Sequence, residues 1–296
     1  MTPPVIDLAN RVALVTGGGA GIGQGCAVSL AAAGADVVIA DIDLDRAEHT
    51  AKLVREHGRQ ALPVRTDVMD TDQIRAAVAA ADERFGQLDI LVNNAGGVRG
   101  RLFLEQSERS WRRHIDINLV SMLAATSATV PLMIRGGRGG SIVNVASIEA
   151  FRAAPTFAVY AACKAAMVSF TKTMALELAE HRVRVNCITP DMTITPGNHG
   201  QRSGPVDPAT FLQRPPEQQG ALDRYIPLGR EGETPECGDV VAFLCCPLAS
   251  YVTGATLPVD GGTYAASGWV RSAAGTGWDL GAVPVAHPIR NEGTPS

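Results

Sequence analysis

An alternation limits the possible folds more than any other feature of this chain. Short runs rich in Val, Ile and Leu alternate with longer stretches of helical pattern along most of its length. "RVALVT" (11–16) precedes "GIGQGCAVSLAAAG", "DVVIAD" (36–41) precedes "LDRAEHTAKLVREHG", and "ALPVRTD" (61–67) precedes "DTDQIRAAVAAADERFG". "LDILVNNAG" (88–96) precedes a helical region around 107–134, and "SIVNVAS" (141–147) precedes a helix over 157–180. "VRVNCIT" (183–189) and "ATLPVD" (255–260) complete the set. Strands separated by helices imply βαβ crossovers and a parallel sheet. The runs are near-continuous in apolar residues, as strands covered on both faces are. The expected architecture is α/β: a Rossmann-type, doubly wound, parallel seven-stranded sheet in a single domain.

Two segments break the rhythm. Residues 196–228 are rich in Pro, Gly and Gln and read as a long functional loop. Residues 264–296 are rich in Gly, Ala, Pro, Ser and Thr, a disorder-prone composition, yet Trp269 and Trp278 imply that this tail docks on something. The domain is expected over 1–263, with 264–296 as a C-terminal extension.

"TGGGAGIG" (16–23) joins the first strand to the first helix. The frame Gly17-x3-Gly21-x-Gly23 fits, as does Gly19-x3-Gly23-x-Gly25, which loses the leading Thr16 and the intervening Ile22. Glycines here permit a tight turn and close backbone approach, with the helix N-terminus facing a pyrophosphate. A turn that only closes a helix–strand contact would read the same way. Asp41 ends the second strand 18 residues after Gly23, where an acid accepts hydrogen bonds from both ribose hydroxyls and repels a 2′-phosphate. Asp41 as a helix cap is the structural alternative. With no Arg or Lys in "ADIDLD", the expected cofactor is NAD rather than NADP.

In "YAACK" (160–164), Tyr160 and Lys164 stand one helical turn apart and share a face. The pair is either an ordinary amphipathic surface pair or a phenol activated by an ammonium. A free tyrosine has pKa about 10; bringing it near 7 takes roughly 4 kcal/mol, about what one cation at ~4 Å supplies at an effective dielectric near 20.

In order along the chain, "TGGGAGIG", "DV" (67–68), "NNAG" (93–96), "IDINL" (115–119), Ser147, "YAACK" and "VNCITP" (185–190) resemble the short-chain dehydrogenase/reductase family of the common cytosolic type. Ser147 precedes Tyr160 by the thirteen residues usual there, and "IPLGR" (226–230) and "YVTGATLPVDGG" (251–262) resemble its closing segments. The resemblance covers about residues 8–263. It implies a catalytic tetrad of Asn118, Ser147, Tyr160 and Lys164. Tyr160 would be the general base, and Lys164 the cation that also holds the ribose. Ser147 would bind the substrate oxygen, and Asn118 a water linked to Lys164. Cofactor contacts are implied at Gly17, Gly21, Ile22 and Gly23, at Asp41 and Ile42, and at Asp67 and Val68. Further contacts fall at Asn93, Ala95 and Gly96, and at Pro190, Thr193 and Thr195. Where the family usually has Pro-Gly, this chain has Pro190–Asp191; Asp is among the few residues that visit left-handed backbone.

The implied activity is NAD-dependent hydride transfer between a secondary alcohol and a ketone. The alternatives are a 3-oxoacyl thioester ketoreductase and a non-catalytic nucleotide-binding protein of the same fold. Glu149, Phe151, Phe157 and Met192, with the 196–226 loop, are candidate substrate contacts and suit a mid-sized cyclic alcohol. The resemblance also implies a homotetramer built partly from the helices over 107–134 and 157–180, with the tail reaching a neighbouring subunit.

The rest of the composition narrows the classes. A formal net charge of −4 without a basic run points away from nucleic acid and anionic membranes. The N-terminus lacks a signal-peptide pattern, and no uninterrupted apolar window of about 18 residues suggests a membrane span. Cys26, Cys163, Cys187, Cys237, Cys245 and Cys246 lack metal or CxxC spacing and read as reduced thiols of a cytoplasmic protein. His49, His57, His114, His181, His199 and His287 are dispersed and read as surface or structural groups, so no metal site is expected.

Overall fold

The computed structural model of the chain describes residues 6–196, 216–272 and 277–280. Seven parallel strands form one sheet in the order β3-β2-β1-β4-β5-β6-β7. They are β1 Val12–Thr16, β2 Asp36–Asp41, β3 Ala61–Arg65, β4 Ile90–Asn93, β5 Gly140–Val145, β6 Val183–Pro190 and β7 Thr256–Val259. Each lies within or close to its expected run. The third and fourth are shorter than read: β3 ends before Thr66, and β4 leaves Asn94 to Gly96 as irregular backbone. Strand order reverses between β1 and β4, and that switch point opens the crevice where open α/β sheets bind ligands.

Helices cover both faces. On one side lie α1 (Gly21–Ala32) and α8 (Thr234–Cys245), packed over Val15, Val37, Ile39, Val143 and Ile188. Gly25 and Gly238 let these two helices meet backbone to backbone: a Cβ on Gly25 would stand 2.4 Å from the Thr234 carbonyl oxygen, and one on Gly238 2.4 Å from the Gly25 carbonyl oxygen. On the other side Ile74 and Val78 of α3 (Thr71–Phe85), Met133 of α5 (Ser121–Gly136) and Ala175 of α6 (Ala158–Glu177) pack over Leu14, Leu91, Ile142 and Val185. Between β2 and β3 runs α2 (Leu44–Glu56), capped by Asp43.

The region read as one helix over 107–134 is α4 (Glu108–Ile115), a wider π turn over Asp116–Val120, and then α5. Together Glu108–Gly136 is long and apolar enough by length and composition to cross a membrane, and here it packs against the sheet with Asn118, Ser121, Thr126 and Thr129 buried. The segment read as a loop over 196–228 contains a helix, α7 (Pro216–Tyr225); residues 197–215 lie outside the described residues. The tail is partly structured: α9 (Thr263–Ala266) leads to an antiparallel hairpin of β8 (Trp269–Arg271) and β9 (Trp278–Leu280). Trp269 and Trp278 are half exposed, and the hairpin is held by the Arg271 guanidinium, which donates to the Pro227 carbonyl at 2.7 and 3.0 Å.

Candidate active site

The glycine turn is held by groups the sequence reading passed over. Asn94 Nδ2 donates to the carbonyls of Thr16 and Gly17, both at 3.0 Å, and the Thr16 hydroxyl accepts from the amides of Asn94 and Ala95. Gly17 and Gly21 have φ near +60°, which favours glycine. Gly23 leaves no room for a side chain: its Cβ would fall 2.1 Å from the Gly17 carbonyl oxygen. The first turn of α1 carries no acidic residue, and its N-cap, Ala20, offers no side-chain hydrogen bond. An anion is the natural complement to such a helix start. Thr195 sits over the turn, 3.4 Å from where a Gly21 Cβ would be. The uncapped helix start, the tight glycines and Thr195 fit the pyrophosphate of a dinucleotide.

Asp41 closes one end of this groove. Its carboxylate accepts from Gly19 N at 2.8 Å and Asp43 N at 3.0 Å, so it braces the turn as well as facing the groove. Ile42 beside it is exposed. Arg46, one turn into α2, also reaches the groove: a Cβ on Gly19 would meet both Asp41 Cγ and Arg46 Cβ within 3 Å. Arg46 lies just past the "ADIDLD" stretch; its Nε stands 3.7 Å from Asp43.

Asp67 accepts from Met69 N at 3.0 Å, and Val68 is buried in the core. The Asn93 side chain is not aimed at the groove. Its amide donates to Thr126 Oγ1 at 3.1 Å and to Asn144 Oδ1 at 2.8 Å inside the sheet–helix layer, so only backbone remains there as a possible cofactor contact. Thr193 is likewise buried, 4.0 Å from Cys237 Sγ, while Pro190 ends β6.

The four residues of the expected tetrad converge. Asn118, in the π turn, is fully buried; its amide donates to the carbonyls of Gly97 and His114, both at 2.9 Å, and its Oδ1 accepts from Gly97 N at 3.0 Å. A Cβ on Gly96 would touch Asn118 Oδ1 at 2.7 Å and Lys164 Nζ at 3.5 Å, so Gly96 lies between them. Asn118 thus pins the segment after β4. His114, one turn before it, is a buried structural group, as the sequence implied.

Ser147 follows the end of β5 in extended backbone, and its Oγ accepts from Glu149 N at 3.3 Å. Lys164 is fully buried, 5.6 Å from the centre of the Tyr160 ring, and donates to the Val145 carbonyl at 2.8 Å. Burial holds its ammonium down at about 8, below the ordinary lysine value, against smaller upward contributions from Cys187 and Cys163. Tyr160 departs from the expectation of an acidic phenol. Burial pushes its pKa up, a hydrogen bond with Ser147 opposes that, and the nearby Glu149 carboxylate raises it further.

On the substrate side, Phe157 starts α6 and packs beside Gly100, where a Cβ would meet its ring at 3.0 Å; Phe151 tilts against Tyr264 with ring centres 5.1 Å apart. Met192 is half-buried. Asp191 does not point into open space: it joins Arg152, Tyr225 and Thr263, none of which the sequence reading singled out. Among the described residues no group of three or more His, Cys, Asp or Glu is placed to hold a metal.

Comparison with known proteins identifies the family. A family model described as enoyl-(acyl carrier protein) reductase matches residues 17–264. Galactitol 2-dehydrogenase of Agrobacterium fabrum is 38% identical over 261 residues, 87% of this chain and 98% of that one. Trans-4-hydroxycyclohexanecarboxylate dehydrogenase of Sinomonas cyclohexanicum is 39% identical, covering 86% of this chain and 93% of its own. A solved structure of 7α-hydroxysteroid dehydrogenase, complexed with NADH and 7-oxo glycochenodeoxycholic acid, superposes with a TM-score of 0.78 at 33% identity, covering 87% of this chain and 95% of that one. The chain is an oxidoreductase, and it belongs to the short-chain dehydrogenase/reductase family.

Proposed function

We propose that this oxidoreductase uses NAD to interconvert a secondary alcohol and a ketone, with Tyr160 as the general base. The observation that carries the reading is the convergence of Ser147, Tyr160 and Lys164 beside a glycine turn fitted to a pyrophosphate. NAD, when bound, supplies the hydride acceptor and, in its oxidised form, a positive charge.

The chain's own residues manage the proton. Ser147 holds the alcohol oxygen, and Tyr160 takes its proton as the C–H bond gives up hydride. Burial favours the protonated phenol at Tyr160. Lys164, protonated at neutral pH, places its ammonium 5.6 Å from the centre of the Tyr160 ring, where it favours the phenolate. Burial and the Glu149 carboxylate act against it and leave the phenol raised. The positive charge that the oxidised cofactor would supply acts in the same direction as Lys164, toward the phenolate.

Asp41 supports NAD over NADP: a 2′-phosphate would meet its carboxylate at the rim of the glycine turn. Arg46 offers little relief, since it pairs with Asp43. The two relatives named above support an alcohol as donor, and the steroid dehydrogenase complex supports a nicotinamide dinucleotide. Six buried free thiols support a cytoplasmic protein. A panel of secondary alcohols incubated with NAD or NADP, read by absorbance of the reduced cofactor, tests the reading. Oxidation of at least one alcohol with NAD favoured tenfold is expected; exclusive use of NADP, or no oxidation, contradicts it.

A further inference from the structure

Beside Tyr160 lies a charged cluster that the hydride-transfer chemistry does not use. Glu149 Oε1 accepts from Arg152 Nη2 at 2.9 Å, and Oε2 faces Arg152 Nε at 3.5 Å. The same Nη2 donates to Asp191 Oδ1 at 3.0 Å, and Nη1 donates to the Tyr225 hydroxyl of α7. Asp191 Oδ2 in turn accepts from Thr263 Oγ1 at 2.7 Å and from the Tyr225 hydroxyl at 3.3 Å. Four of the five guanidinium N–H groups are thereby committed, leaving Arg152 little to offer an incoming anion.

The balance of charge follows. One guanidinium stands between two carboxylates, so the cluster carries a net charge of −1. The two carboxylates are the shielded members: the side chain of Asp191 is 6% exposed and that of Glu149 18%, against 32% for Arg152. The charge is also felt at the catalytic phenol, since Glu149 is one of the groups that raise Tyr160. A unit charge at ~6 Å under an effective dielectric near 20 amounts to about a hundredfold in affinity, and solvent in an open site reduces that to roughly tenfold. Substrate hydroxyls, by contrast, are donors that the remaining lone pairs of Glu149 accept.

We propose that the Glu149–Arg152–Asp191 cluster sets substrate class by charge: it admits neutral, hydroxyl-bearing secondary alcohols and rejects those carrying a carboxylate, with Glu149 as the specificity-determining group. This rests on the alcohol-dehydrogenase reading above. It also separates the two relatives. The polyol named by the galactitol enzyme suits this cluster, and the hydroxy acid named by the cyclohexanecarboxylate enzyme does not.

A matched pair of ligands tests it: trans-4-(hydroxymethyl)cyclohexanol and trans-4-hydroxycyclohexanecarboxylate, alike in shape and different in charge. Dissociation constants are measured by calorimetric titration of the full chain saturated with NADH at pH 8, in parallel with NAD-linked turnover of both compounds. The neutral compound should bind at least tenfold more tightly. Glu149→Gln should bring the ratio within about threefold of unity, and Arg152→Gln should widen it. Opposite shifts in the two variants report charge, whereas general damage to the pocket would move both the same way. A carboxylate bound as well as or better than its neutral partner, no measurable binding of the neutral compound, or an unchanged ratio in Glu149→Gln would overturn the proposal. Absence of turnover with the binding ratio intact would count against the alcohol-dehydrogenase reading alone.

Discussion

Lys164 is a buried ammonium with a backbone carbonyl as its hydrogen-bond acceptor, and its burial has a measurable pH signature. Its folded value of about 8 lies below the ordinary lysine value of about 10.4, so between them the unfolded chain binds a proton that the folded chain does not. This contribution makes stability rise with pH across that window; below 8 the full cost of burying the charge is present. In urea titrations, Lys164→Met should therefore gain most relative to wild type near pH 7, and the difference should shrink as pH approaches 10. A difference independent of pH would place the lysine's titration elsewhere. At the other end of the groove, Asp41→Ser should narrow the NAD preference at least tenfold, about 1.4 kcal/mol, in steady-state kinetics; an unchanged ratio would mean that Asp41 serves only Gly19 and Asp43. Tyr160 and Lys164 were legible in the sequence because one helical turn puts them on one face, and Ser147 through the family resemblance. Arg152 and Tyr225 were not, nor was the link between them and Asp191, because these contacts span 39 and 73 residues.

The elements were legible in kind and less so in detail. A parallel strand buried on both faces announces itself by composition, as β1, β2, β4, β5 and β6 do; the edge strands β3 and β7, only partly buried, were legible from their place in the alternation. The π turn over Asp116–Val120 did not, since its hydrophobic pattern is that of the helices on either side; the Asn118 amide held by Gly97 and His114 is what singles it out. Nor did α7, whose Pro- and Gln-rich composition reads as loop. The contact between α1 and α8 yields a prediction of its own. Gly238→Ala gains up to about 1 kcal/mol in helix propensity, but its Cβ must displace the Gly25 carbonyl at 2.4 Å, and overpacking of this kind costs about 1–3 kcal/mol. A net loss, seen as a Tm lowered by roughly 2–4 °C, is expected in calorimetry. A raised Tm would show that the helices separate freely.

At the scale of the whole molecule, the exposed apolar side chains include Ile115, Leu123 and Leu176 on α4, α5 and α6, and Leu248, Tyr251 and Leu257 around the end of α8 and β7. The homotetramer that the family resemblance implies would cover such side chains, and light scattering tests it. Within the chain, Arg271 anchors the tail's hairpin on Pro227, two residues after the Tyr225 that grips Arg152. Truncation before Ser267 should therefore raise KM while leaving the tetramer mass unchanged; a change in mass would mean that the tail also joins subunits. The central claim is that Tyr160 transfers the proton in NAD-linked alcohol oxidation, and Tyr160→Phe tests it most directly. The ring and its packing remain while the hydroxyl is lost, so turnover should fall by three or more orders of magnitude with NADH affinity, read by fluorescence, within about threefold of wild type. Turnover within tenfold of wild type, at unchanged NADH affinity, would contradict the account.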